Sequence, residues 1–122
     1  MPRILLVDDD DESREALSML LRLRGFEVVE ARDGQSGLDA LEDEAPHLVL
    51  MDMNMPDIDG WEATRRLKAL PGGAAVPVVG LSAHALARDR DRAVAAGCVA
   101  FHTKPVEIEE LVETIEAQLG GS

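Results

Sequence analysis

Five short runs of apolar residues punctuate the chain, and none of them alternates with polar positions. They are Ile4-Leu5-Leu6-Val7, Val28-Val29, Leu48-Val49-Leu50-Met51, Val76-Pro77-Val78-Val79 and Cys98-Val99-Ala100-Phe101. A strand with one wet face reads as apolar and polar in turn, whereas a strand apolar on both faces has to be covered on both, as in a parallel sheet. The stretches between the runs have helical character. Residues 12–24 carry Leu17, Leu20 and Leu21 on one side and stop at Gly25. Residues 36–44 end before Pro46, and a helix carrying Trp61, Thr64 and Leu67 follows a loop with Pro56, Asp57, Asp59 and Gly60. Residues 85–96 are rich in Ala and Arg with a thin apolar face, and the last helix places Ile108, Leu111, Val112, Ile115 and Leu119 on one stripe. Pro77 sits near the start of its run, where the missing N–H does least damage. Right-handed crossovers then set helices on both sides. The expected fold is α/β, a doubly wound (βα)5 unit with a five-stranded parallel sheet.

The 122 residues suit one domain, and 46% hydrophobic residues are enough for a core built of aliphatic side chains, since there are one Trp, two Phe and no Tyr. A net charge of -12 repels phosphate backbones and anionic lipid, so direct contact with nucleic acid or a membrane surface is not expected. The opening residues lack the architecture of a signal peptide and no run approaches transmembrane length. With Cys98 alone, no internal disulfide can form, and a cytoplasmic location is expected. Gly120-Gly121-Ser122 reads as a frayed end or a linker stub.

In an open parallel sheet the functional crevice lies beyond the carboxyl ends of the strands. There the chain offers Asp8, Asp9, Asp10, Asp11 and Glu12 after the first strand, Asp52 after the third, Ser82 after the fourth and Lys104-Pro105 close after the fifth. Acids favour helix N-termini, which accounts for Asp11 and Glu12. Asp8 and Asp9 abut the strand and are expected to face the crevice, where clustered hard oxygen ligands suit Mg²⁺. Without metal these carboxylates repel Asp52 and raise the cost of full ionisation. Lys104 is one of two lysines in the chain, a compact point charge suited either to a structural ion pair or to a transferring phosphoryl group. The Lys104-Pro105 bond is a candidate for the cis form. Met51, Met53 and Met55 read as core fillers rather than as a binding stripe.

The segments ILLVDD, MDMNMPDIDG, VVGLSAHA and AGCVAFHTKP, in this order after the appropriate strands, resemble the receiver domain of two-component response regulators, the CheY-like family. The resemblance covers residues 3–119 and implies a flavodoxin-like strand order of 2-1-3-4-5. It implies one receiver domain over residues 1–122, without an output domain. By the same resemblance Asp52 takes a phosphoryl group from a phosphohistidine. Asp9, Asp52 and the backbone carbonyl of Asn54 hold Mg²⁺, with Asp8 contributing directly or through water. Ser82 and Lys104 meet phosphoryl oxygens, and Ser82 and Phe101 form the switch that alters the face of the fourth helix, fifth strand and fifth helix. The thin apolar face of residues 85–96 suits a movable element. The chain is then no enzyme beyond its own phosphorylation and dephosphorylation. Its expected partners are a sensor histidine kinase or histidine phosphotransfer protein and a downstream protein target, with a phosphorylation-dependent homodimer also open. A receiver excised from a hybrid histidine kinase fits the same residues.

Three other readings fit less well. A flavodoxin-like electron carrier needs a hydroxyl-rich phosphate loop where this chain has five acids, and an aromatic flavin sandwich that one Trp, two Phe and no Tyr hardly allow. An Asp-nucleophile phosphatase would use Asp8 and Asp10 and leave Asp52 unexplained. A scaffold pseudo-receiver predicts loss of an acid, the Ser or the Lys, and all are present. Among the remaining residues, His84 and His102 read as surface positions, with His84 near enough to the site to tune phosphate lifetime. Cys98 reads as a small buried hydrophobe, and Trp61 as a fluorescent reporter of Mg²⁺ binding.

Overall fold

The computed structural model describes residues 1–83 and 87–120, with the backbone alone for residues 87–89. Its strands are β1 (Arg3–Val7), β2 (Glu27–Ala31), β3 (Leu48–Asp52), β4 (Val78–Ser82) and β5 (Ala100–Thr103). The helices between and after them are α1 (Asp11–Leu23), α2 (Gly34–Glu44), α3 (Gly60–Ala69), α4 (Ala87–Ala96) and α5 (Ile108–Gln118), with a 3₁₀ turn at Gly73–Ala75. All strand pairs are parallel, and the order is β2-β1-β3-β4-β5, as expected.

Successive strand residues point to opposite faces, so continuous apolar strands feed two separate cores. Leu5, Val7, Val49, Met51 and Val78 pack with Leu38, Leu41, Leu67, Ala93 and Ala96 of α2, α3 and α4. Ile4, Leu6, Leu48, Leu50, Val79 and Leu81 pack with Leu21 of α1 and Leu111 and Ile115 of α5. Met51, Met53, Met55 and Cys98 are all buried, as expected of core fillers. Burial also pushes the Cys98 thiol up to about 11.

Helices α1, α2, α3 and α5 each start on an acidic N-cap: Asp10, Asp33, Asp59 and Glu107. Capping of α1 thus falls to Asp10, which accepts from the Glu12 N–H, while Asp11 and Glu12 occupy the first turn beside the positive end of the helix dipole. Gly25, at φ 92°, ends α1 where the sequence placed its stop.

Two strands differ from expectation. β4 begins at Val78, not Val76: Pro77 has no N–H for the ladder and only accepts, from the Val49 N–H at 2.9 Å. β5 begins at Ala100 and runs to Thr103, because Gly97 at φ 112° ends α4 and the Cys98 N–H turns back to Ala93 O at 2.9 Å. His102 therefore lies within the strand. It is half-buried, with Nε2 2.9 Å from Thr114 Oγ1 of α5, not on the surface, and burial lowers its pKa. The expected helix over residues 85–96 is α4; its first two positions, and His84, lie outside the described residues.

No described helix is long and apolar enough to cross a membrane. Leu50 is fully buried at the centre of the sheet on the α1/α5 side. Leu50→Ala is expected to cost about 2–5 kcal/mol in urea unfolding, by lost transfer energy plus a residual cavity. A cost below about 1 kcal/mol would mean that this face is not the packed core described.

Candidate functional site

The register of the sheet collects the candidate residues. Val7 pairs with Met51 and Ala31, Asp52 with Leu81, and Ser82 with Thr103, so the strands end nearly level. Ladder bonds continue past the ends: Asp8 N–H to Ala31 O at 3.0 Å, Met53 N–H to Leu81 O at 2.8 Å and Lys104 N–H to Ser82 O at 2.7 Å. Asp8, Asp52, Ser82 and Lys104 are thereby fixed by main-chain bonds before any side chain is considered.

Lys104 lies at the centre of the charges. Its ammonium donates to Asp8 Oδ2 at 3.0 Å and stands 3.6 Å from Asp52 Oδ2. The Lys104-Pro105 peptide is cis. Asp8 and Asp52 are buried, at 1% and 3% exposure, and Asp9 is exposed at the rim. Carboxylate oxygens of these three acids lie within 4.8 Å of one another. An octahedral ion with bonds of about 2.1 Å separates its own ligand oxygens by roughly 3–4 Å, so the donor set fits Mg²⁺ with a slight contraction. Burial is the main force that pushes the Asp52 carboxyl up, to about 7. The Asn54 N–H and Lys104 oppose that rise, and the acids Asp8 and Asp9 add to it. Lys104 is itself held above its ordinary value: burial favours the neutral amine, but Asp8 and Asp52 outweigh it.

The loop after β3 is built around Asp52. Asp52 Oδ1 accepts from the Asn54 N–H at 3.0 Å. The Asn54 side chain, which sequence reasoning passed over in favour of its carbonyl, accepts from Ser82 Oγ at 3.1 Å and from the Ala83 N–H at 3.3 Å. It ties the ends of β3 and β4 together across the site. Gly60 was legible only as a turn residue. A Cβ there would stand 2.4 Å from Asp52 O and from Met53 Cα, so glycine is what lets α3 start against the backbone of Asp52. Trp61, next in α3, is buried, and the Arg92 guanidinium lies 3.8 Å from its ring centroid. Phe101 is half-buried on β5, with Arg90 5.5 Å from its ring centroid. An apolar groove of about 210 Å³, lined by Ala16, Leu17, Leu20, Pro105 and Val106, adjoins Asp8 and Lys104.

A family model for the response regulator receiver domain matches residues 4–116. The chain belongs to that family. The receiver is 31% identical to the polar-differentiation response regulator DivK of Brucella anthropi over 121 residues, covering 98% of each. It superposes on a putative response regulator from Chloroflexus aurantiacus with a TM-score of 0.93 at 30% identity, covering 98% of this chain and 99% of that one. It also superposes on the receiver domain of the sensor histidine kinase PA1611 from Pseudomonas aeruginosa, with a TM-score of 0.90 at 32% identity over 98% of both chains. That structure has a magnesium ion coordinated in its active-site cleft.

The raised Asp52 carboxyl carries a pH signature for the metal-free receiver. With a value of about 7 in place of 3.8, the folded state binds more protons than the unfolded chain between those two pH values. Stability without metal therefore falls as pH rises across that window. Urea unfolding in EDTA is expected to show this fall in the wild type and a shallower one in Asp52→Asn; parallel curves would contradict it.

Proposed function

We propose that this receiver is the phosphoacceptor switch of a two-component relay, with Asp52 as the residue that takes the phosphoryl group. The observation that carries the reading is the single ammonium of Lys104 poised between Asp8 and Asp52, on three strand ends that the sheet brings together. A carboxylate oxygen of Asp52 attacks phosphorus in line, the P–N bond of a phosphohistidine breaks, and its electron pair leaves with the imidazole. This chemistry needs positioning and charge neutralisation more than proton transfer.

Asp9, Asp52 and the Asn54 carbonyl would hold Mg²⁺, with Asp8 contributing directly or through a water. The bound cation would offset repulsion among the acids and favour ionised Asp52. Lys104 pairs with one phosphoryl oxygen. Ser82 exchanges its Asn54 acceptor for another phosphoryl oxygen. Movement of Ser82 toward the phosphoryl group, and of Phe101 inward, shifts the population toward a state with a different α4-β5-α5 face. In this reading the receiver catalyses only its own phosphorylation and dephosphorylation. Its phosphodonor is a histidine kinase or histidine phosphotransfer protein, its output is contact with a protein target or a second phosphorylated copy, and it works in the cytoplasm. Attachment to a hybrid histidine kinase is favoured as a second arrangement by the likeness to the PA1611 receiver.

Incubation with acetyl phosphate and Mg²⁺, followed by intact-mass measurement, tests the assignment. The wild type is expected to gain one phosphoryl group, and Asp52→Asn or wild type in EDTA to gain none. An equal gain by Asp52→Asn would refute Asp52 as the acceptor.

A further inference from the structure

Arg14 is an arginine in the middle of a family of acids, and the function described above gives it no task. It is 9% exposed, on the second turn of α1, and its guanidinium is spread over three acceptors. Nη1 donates to the backbone carbonyl of Asp8 at 3.0 Å, Nη2 to Asp11 Oδ1 at 2.7 Å and Nε to Glu30 Oε1 at 3.1 Å. The Asp11 carboxylate is 73% exposed, so that pair alone gives little reason to bury a guanidinium. The bond to Asp8 is the buried one.

A peptide unit is planar, so the Asp8 carbonyl and the Asp9 nitrogen turn together. By holding the Asp8 carbonyl, Arg14 sets the plane from which the Asp9 side chain departs. The rest of Asp8 is fixed from other directions. Its N–H goes to Ala31 O, its Oδ1 accepts from the Asp10 N–H at 2.9 Å and its Oδ2 from Lys104 at 3.0 Å. Asp9 is exposed and meets the Asp52 side chain, so its approach to Asp52 depends on the peptide plane from which it departs. The Glu30 contact in turn fixes the guanidinium to the end of β2, the strand beside β1.

We propose that Arg14 is a positioning residue for the divalent cation, holding the Asp8-Asp9 peptide so that both carboxylates converge with Asp52. The inference rests on the metal site of the proposed function. Arg14 is a cation near a cation site, so by Coulomb's law alone its removal tightens Mg²⁺ binding. As a positioning residue, its removal weakens binding, because partners that orient metal ligands are commonly worth 10- to 100-fold in affinity.

Calorimetric Mg²⁺ titration of the wild type, Arg14→Met and Arg14→Lys at constant ionic strength separates the two. Arg14→Met is expected to raise the Kd about 10-fold or more. Arg14→Lys keeps the charge but cannot span three acceptors, and is expected to raise it by a smaller factor of at least about 3, within the range of such outer partners. Unchanged or tighter binding by a folded Arg14→Met would overturn the proposal. If Arg14→Met does not fold, Arg14→Lys decides: binding equal to wild type overturns it, and weaker binding upholds it. Failure of the wild type to bind Mg²⁺ would instead overturn the metal site itself, and this inference with it.

Discussion

A parallel sheet obliges every strand to run the same way, so the chain must return across the sheet after each one and all carboxyl ends collect on one edge. Here that requirement brings together residues 96 positions apart in sequence, Asp8 and Lys104, at 3.0 Å. The order β2-β1-β3-β4-β5 puts β1 and β3 side by side at the centre, and so the two buried acids on neighbouring strand ends. The cores on the two faces hold the strands, and with them these strand ends, in place.

Holding three carboxylates together is costly, and the molecule offsets that cost with fixed positive partners. Lys104 stands between Asp8 and Asp52, N–H groups of Asp10 and Asn54 point at the same two side chains, and Arg14 grips the backbone behind them. Burial nonetheless raises the Asp52 carboxyl, with a smaller push from Asp8 and Asp9 that Lys104 and the Asn54 N–H oppose. Three carboxylates gathered beside one ammonium are the donor set that the proposed Mg²⁺ and phosphoryl group would meet.

Much of this was legible in the sequence because it depends on the side-chain types of short segments. Uniformly apolar runs required a sheet covered on both faces, and the position of each polar residue just after a run required it to lie at the sheet's edge. The failures have physical causes too. Pro77 and Cys98 are apolar and so extended their runs on paper, while hydrogen bonding starts β4 and β5 later. His102 looked like a surface residue because the strand was ended one residue before it. Asn54 and Gly60 were visible as loop residues, but their tasks, bridging to Ser82 and admitting α3 against Asp52, depend on distances between segments. Arg14 was hidden for a different reason. It sits in an acidic stretch where a lone arginine reads as a solvated helix charge, and only the fold shows its guanidinium buried against Asp8 O.

We propose that the sheet selects one carboxylate, Asp52, as the phosphoryl acceptor in a chain with 24 acidic residues. Borohydride reduces an acyl phosphate to the alcohol and leaves free carboxylates alone, so it converts a phosphorylated aspartate to homoserine. Treating the phosphorylated receiver with borohydride and mapping its peptides by tandem mass spectrometry locates the acceptor directly. Homoserine at position 52 alone is the expected result. Homoserine at position 8 or 9, or spread across several acids, would contradict Asp52 as the acceptor.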